Sequence, residues 1–165
     1  MKIYFDQDGT LAKFHYVPLF VLYIWGYFLF LRPHRNILKA MKMLDASPDT
    51  EVYVLTSVLE DHPTAKQEKL RWLKRFAPFI PQERIIFVPC GCNKSDYLEV
   101  TGNDILVDDY GVNVAGWHGP YVKVSRDNND MQKEVKNHPY CINPQMDPDS
   151  IVTTVLLAGL NETAN

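Results

Sequence analysis

The sequence is short of the features that mark several specialised classes of protein. Three cysteines in 165 residues are few and odd in number, so we expect no disulfide framework and a reducing, cytoplasmic setting. Basic residues do not outnumber acidic ones, and a formal net charge of −3 argues against a surface for nucleic-acid polymers. No internal repeat or low-complexity segment is visible. With 46% hydrophobic residues, we expect residues 1–165 to form one domain with a sizeable core.

The sequence also lacks a membrane span, which needs about 20 apolar residues. Tyr16 to Leu31 is uncharged, but it is shorter than that and contains Pro18 and Gly26. It also lacks the basic start and the cleavage site of a signal peptide. We predict that residues 14–33 form a small inserted cap, which could also serve as a homodimer surface. Association with a membrane surface and a plain core helix are the alternatives.

The rest of the chain alternates between predicted strands and helices. Apolar runs predict five strands, at residues 2–5, 52–55, 85–88, 105–107 and 121–124. Helical spacing and turn residues predict helices at about 33–46, 63–77 and 148–160. This order is typical of an α/β, Rossmann-like three-layer sandwich with a five-stranded parallel sheet. Such sheets bind ligands at the carboxyl ends of their strands.

Polar groups follow these strands at the expected edge. Asp6 and Asp8 follow the first strand, Thr56 ends the second, and Asp108 ends the fourth. Lys94 lies in the connection beyond the third strand. An Asp-x-Asp-Gly stretch alone is an ordinary turn, but the fold would bring all of these groups together. Two close carboxylates repel unless a cation lies between them, and Mg²⁺ prefers oxygen ligands.

This constellation fits Mg²⁺-dependent phosphoryl transfer, in which catalysis is mostly positioning and charge neutralisation. Asp6, directly at the strand end, is the better nucleophile and would form an aspartyl-phosphate. Asp8 would protonate the leaving oxygen and later activate water. The phosphate oxygens would be held by Thr56, Ser57 and Lys94.

The candidate metal ligands are Asp6, Asp8 and Asp108. Asp109 is expected to orient a neighbour or a metal-bound water instead of binding the metal directly. Cys90 and Cys92 form a C-x-C pair, but no second pair at zinc spacing accompanies them.

Lys66 and Lys69 fall in a predicted helix and are interpreted as part of its solvated face.

The ordered motifs resemble those of the haloacid dehalogenase-like superfamily of phosphohydrolases. The matching residues are Asp6-Gln7-Asp8-Gly9-Thr10-Leu11, Thr56, Lys94 and Asp108-Asp109. A closer resemblance is to the 5′(3′)-deoxyribonucleotidase-like family, or 5′-nucleotidase type C, over about residues 2–125. It rests on Gly26-Tyr27-Phe28, Pro33 to Asn36, Val52 to Val58, Arg84 to Gly91 and Leu106 to Tyr110.

The resemblance implies a 5′-nucleotidase that hydrolyses (deoxy)nucleoside monophosphates through an aspartyl-phosphate. It also implies a helical cap after the first strand, with the backbone carbonyl of Asp8 as a further Mg²⁺ ligand. Phe14, His15 and Tyr27 are the candidates for the substrate pocket. Tyr16, Phe20, Tyr23 and Tyr27 recur at helical spacing, so the cap could offer one aromatic face to a base.

Three other functions compete with this one. A dehalogenase is disfavoured by Asp8, because a departing halide needs no proton whereas an alkoxide does. A phosphatase for a non-nucleotide phosphomonoester remains open. So does a non-catalytic partner-binding protein of the same fold, because an intact set of motifs does not prove turnover.

Overall fold

A computed structural model of the protein describes residues 1–15 and 17–161. Its strands are β1 Lys2–Phe5, β2 Glu51–Val58, β3 Ile85–Pro89, β4 Ile105–Asp108, β5 Tyr121–Val124 and β6 Cys141–Ile142. They form one sheet in the order β3-β2-β1-β4-β5-β6, and all neighbouring strands are parallel. The α/β, Rossmann-like prediction is confirmed. The predicted count of five strands is wrong, since two-residue β6 is too short to produce a sequence pattern.

The connections between the strands carry the helices. These are α1 Leu19–Leu22, α2 Arg35–Asp45, α3 Ala65–Phe76, α4 Gly111–Ala115, α5 Asn128–Glu134 and α6 Pro148–Asn161. Short 3₁₀ turns occupy Gln82–Arg84 and Lys94–Tyr97. Among the described helices, none is long and apolar enough to cross a bilayer.

Alternation along β1 divides the core into two hydrophobic clusters. Ile3 and Phe5 belong to the larger cluster, which includes the buried residues of α2 and α6, whereas Tyr4 belongs to a smaller one. The apolar stripe of α2 consists of Ile37, Leu38, Ala40, Met41 and Leu44. Because both clusters are buried against the sheet, the strand ends are fixed in position and the groups that follow them are held at one edge.

Helix α3 fastens the uncharged segment, residues 17–31, to the rest of the fold. The Glu68 carboxylate accepts hydrogen bonds from the backbone N–H of Gly26 at 2.9 Å and of Phe28 at 3.2 Å. The indole of Trp72 donates to the carbonyl of Leu31 at 2.8 Å. His62, just before α3, bonds through Nε2 to the carbonyl of Leu22 at 2.8 Å. These bonds satisfy backbone groups that a loop would otherwise leave unpaired.

The prediction of a helical cap is not met in the described part of residues 14–33. The only helix there is four-residue α1. Gly26 adopts φ +87°, a left-handed conformation that ends any helix, and Glu68 takes the N–H groups that a helix would use internally. The proposed aromatic face therefore does not form, and Tyr16, its first member, lies outside the described residues. Phe28, which was not part of that face, is buried in the core.

Candidate active site

The loop after β1 presents its carboxylates through a tight turn. The backbone N–H groups of Leu11 and Ala12 both donate to the carbonyl of Gln7. Gly9 within this turn adopts φ +87°. A Cβ atom at Gly9 would lie 2.1 Å from a carboxylate oxygen of Asp109. Glycine is therefore required twice, for its backbone conformation and for the close approach of Asp109.

Lys94 is the central cation of the site. Its side chain is completely buried, and its ammonium donates to Asp6 Oδ1 at 2.6 Å and to Asp108 Oδ2 at 2.7 Å. Burial alone would lower the pKa of Lys94, but Asp108 and Asp6 outweigh it and raise this pKa above its ordinary value. Lys94 is therefore charged throughout the physiological range. In the described structure, no hydrogen bond reaches Oδ2, the second oxygen of Asp6.

Asp108 is held from several directions. Its Oδ1 accepts the N–H of Tyr110 at 2.8 Å, and its Oδ2 also accepts the amide of Asn113 at 2.9 Å. Each of Asp6, Asp108 and Asp109 offers one oxygen to a group whose atoms lie within 4.8 Å of one another. Several carboxylates this close in a buried site suit a hard divalent cation. The residues present therefore fit Mg²⁺.

The prediction that Lys69 lies on a solvated face of α3 is wrong. Its side chain is only 1% exposed. Its ammonium lies 2.6 Å from Asp8 Oδ2 and donates to Thr56 Oγ1 at 3.0 Å and to the carbonyl of Ser57. Lys69 therefore links Asp8 to the end of β2. Spacing on α3 could have indicated the burial of Lys69, though not its partners, because Lys69 lies four positions after Ala65, which is buried.

Lys66, by contrast, is exposed as expected; its ammonium lies 5.2 Å from the centroid of the Phe87 ring.

A cavity of about 660 Å³ opens beside these carboxylates. Asp6, Asp8, Ser57 and Phe14 line it, among the residues predicted from the sequence. Asp109, expected beside the metal, also lines it, and the additional lining residues are Cys90, Gly91, Cys92, Asn93, Tyr110, Val112, Asn113 and Gly116. None of the described residues in 17–31 lines it. The uncharged segment is therefore not the wall of this cavity.

The other predicted residues lie nearby. Thr56, Lys94 and Asp108 are completely buried and do not line the cavity. Thr56 bonds to Lys69, and Lys94 joins Asp108 to Asp6. His15 lines a neighbouring cavity of about 780 Å³. Tyr27 packs edge-on against Phe14 at 6.0 Å and donates to the carbonyl of His15, so it supports the wall from behind.

Tyr110 and Asn113 are site residues that the sequence reasoning missed. Tyr110 is 51% exposed and lines both cavities, and Asn113 contacts Asp108. Both residues follow β4 closely, two and five positions after Asp108, and this position could have indicated that they belong to the site.

Burial perturbs two of the carboxyl groups. It raises the pKa of Asp6 to about 7; Asp108 and Asp8 add to the shift, whereas Lys94 and Lys69 oppose it. Burial, together with Asp6 and Asp108, raises the pKa of Asp109 to about 8. In the metal-free protein these groups therefore hold protons near neutral pH, and a cation would have to displace them.

The metal-free protein is expected to lose stability as pH rises. A carboxyl group whose folded pKa lies above its unfolded value favours folding while it is protonated. The contribution of Asp6 and Asp109 is complete below about pH 4 and is lost as pH rises through about 7 and 8. The free energy of unfolding, measured in urea with a chelator present, should decline over that window. Mg²⁺ should flatten the decline, and a profile that is level without metal would contradict the prediction.

Both the sequence and the fold resemble those of known proteins. The family model described as 5′ nucleotidase, deoxy (pyrimidine), cytosolic type C protein matches residues 3–140. A search of curated proteins found no match. Among solved structures, the DsGPDH of Dunaliella salina is similar, with a TM-score of 0.52 and 14% sequence identity. The match covers 93% of this chain but only 28% of that one, and at this identity it concerns the fold alone.

Proposed function

Because the chain belongs to the 5′-nucleotidase, deoxy (pyrimidine), cytosolic type C family of haloacid dehalogenase-like phosphatases, we propose that it hydrolyses (deoxy)nucleoside monophosphates with Mg²⁺. The family is one of phosphoric monoester hydrolases. One observation carries the proposal for this chain: Asp6 lines a cavity while buried Lys94 holds its Oδ1 at 2.6 Å. A carboxylate fixed by one oxygen, with the other unengaged, suits nucleophilic attack on phosphorus.

Asp6 is proposed as the nucleophile. Lys94 orients its carboxylate and offsets the negative charge that accumulates in the site. Attack of Asp6 Oδ2 on phosphorus forms an aspartyl-phosphate and breaks the ester P–O bond, and the leaving oxygen takes a proton and departs as the nucleoside hydroxyl. Water then gives up a proton and attacks the phosphorus, which breaks the bond to Asp6 and releases inorganic phosphate.

Asp8 is proposed as the general acid and base. It lines the same cavity, and its Oδ1 is buried without a hydrogen-bond partner among the described residues. Its Oδ2 is held by Lys69, so the carboxylate is oriented through one oxygen. Asp8 would give a proton to the leaving oxygen and take one from the attacking water.

Mg²⁺ would be held by Asp6 and Asp108, with the backbone carbonyl of Asp8 as a further ligand, and would neutralise charge on the phosphate oxygens. Asp109 is expected to orient a neighbour or a metal-bound water. Its carboxylate lies in the same group as those of Asp6 and Asp108, close enough for that role. Asp8 contributes no carboxylate oxygen to that group.

The phosphate would lie between Asp6 and Ser57 on the cavity wall, with Thr56 and Lys94 supporting those groups from behind. The nucleoside would then extend towards Phe14 and Tyr110. Both rings border the cavity, and aromatic rings can stack on any base.

A phosphate-release screen tests the proposed function. Purified protein is given the (deoxy)nucleoside 5′- and 3′-monophosphates, sugar phosphates and other small phosphomonoesters, each with Mg²⁺ and with a chelator. We expect release from nucleotides only with the metal. Preference for a non-nucleotide ester would show that the substrate is not a nucleotide. No release from any ester would favour a binding protein of the same fold.

Lys69→Met is expected to lower kcat, by about 10-fold to 100-fold, while leaving KM for the nucleotide less affected. The substitution removes the cation that orients Asp8, so proton transfer suffers more than binding. The measurement is the steady-state rate of phosphate release. Lys66→Met, on the exposed side of α3, is the matched control and should retain normal rates. Equal rates for the two variants would contradict the role given to Lys69.

A further inference from the structure

The uncharged segment exposes an apolar patch that the cavity does not use. We define the patch as Leu19, Phe20, Ile24, Trp25 and Phe30. The most exposed of these are Phe20 at 71%, Phe30 at 68% and Trp25 at 63%. The rings of Trp25 and Phe30 contact each other edge-on at 6.4 Å. Large apolar side chains clustered at this exposure mark an interaction surface.

The fold keeps the patch exposed. Glu68, His62 and Trp72 fix the backbone of the segment at four points between Leu22 and Leu31. Turning these side chains inward would break those hydrogen bonds and leave the buried carboxylate of Glu68 without its donors. The exposure of the patch is thus maintained by specific contacts.

The stretch of sequence that contains the patch carries basic residues only. Residues 9–44 contain five Lys and Arg side chains and no Asp or Glu, whereas all 20 acidic residues of the chain lie elsewhere. Lys13 and Arg32 lie at the base of the segment, joined by a backbone hydrogen bond of 2.7 Å. Two acids from elsewhere in the chain touch the segment: Asp61 accepts the hydroxyl of Tyr23 at 2.6 Å, and Glu68 is buried beneath it.

We propose that the patch inserts into the interface of a lipid bilayer that carries anionic headgroups. Trp and Phe side chains suit the boundary between headgroups and acyl chains, and flanking Lys and Arg bind anionic lipids. A two-fold dimer would instead place the patch and its basic flanks against identical ones, where like charges repel. None of the described residues in 17–31 lines the catalytic cavity, so lipid contact is a separate property from the proposed phosphatase activity.

The test is co-sedimentation with phosphatidylcholine vesicles, with and without phosphatidylserine. We expect binding that requires phosphatidylserine and weakens with salt. The tryptophan emission should shift to shorter wavelength on binding, because Trp25 is exposed whereas Trp72 and Trp117 are buried. Phe20→Ser with Trp25→Ser should weaken binding at least about 10-fold. Val135→Ser, an exposed apolar residue elsewhere, is the control and should bind normally.

The outcomes separate the alternatives. Normal phosphate release by the Phe20/Trp25 variant, with vesicle binding lost, supports the proposal. Lack of binding to either kind of vesicle overturns it, as does equal binding to neutral vesicles. A dimer in light scattering that the same two substitutions dissociate, with no vesicle binding, would assign the patch to a second copy of the chain. Phosphate release is assayed in parallel, so failure of the proposed enzymatic function would be seen independently.

Discussion

Asp6→Asn is expected to abolish phosphate release, with a loss of at least about 10⁴-fold in kcat. An amide oxygen is a poor nucleophile, so the aspartyl-phosphate cannot form even though the amide can still accept a hydrogen bond from Lys94. The measurement is single-turnover phosphate release from the best substrate of the screen. Near-normal release would show that Asp6 is not the nucleophile.

Two further variants make this result specific. Asp8→Asn should lose about 10²-fold to 10⁴-fold, the scale of a missing general acid and base, and so less than Asp6→Asn. Asp149→Asn, at an exposed position on α6, should behave like the unmodified protein. Unfolding curves serve as the check on folding. Because the raised pKa of Asp6 costs the folded protein stability at high pH, Asp6→Asn should unfold no more readily than the unmodified protein there.

The strand ends were predictable because their signals are local. β1 is a short apolar run followed at once by an acid, and β4 is one that ends in an acid. Because the strands are parallel, their carboxyl ends lie at the same edge of the sheet. The structure places Asp6 and Asp108 on either side of Lys94, from three separate parts of the sequence. The roles assigned to these residues are proposals, but their meeting was expected.

Lys69 was missed for a physical reason. A lysine on an amphipathic helix is ordinarily solvated, and nothing in its immediate sequence shows that an acid from a distant loop will meet it. Only the packing of α3 against the loop after β1 brings Lys69 to Asp8. Glu68 is a similar case, since its partners are backbone N–H groups of the uncharged segment.

The uncharged segment misled because its composition resembles a buried helix. Its apolar residues recur at helical spacing, yet Gly26 and the N–H groups captured by Glu68 direct the chain into turns. Tertiary contacts override local preference here. The composition therefore marked the segment as unusual, without indicating its backbone or its location.

Lys94→Met is expected to lower the free energy of unfolding by about 3–5 kcal/mol in the absence of metal, the usual cost of breaking a buried ion pair. The substitution leaves Asp6 and Asp108 buried without their shared cation. The loss should be smaller at low pH, where Asp6, whose pKa burial raises to about 7, is protonated and needs no counter-charge. Urea unfolding at several pH values, with a chelator present, measures the effect.

Adding Mg²⁺ should separate the effect of Lys94 on stability from its effect on phosphate release. Mg²⁺ can supply part of the missing positive charge, so it should stabilise Lys94→Met more than it stabilises the unmodified protein. Phosphate release should nevertheless stay depressed by about 10²-fold to 10³-fold, because the metal cannot replace the hydrogen bond that fixes Asp6 Oδ1. Lys74→Met, at an exposed position on α3, is the matched control. If Lys94→Met unfolds like this control at every pH, the buried lysine does not hold the carboxylates together as the geometry indicates.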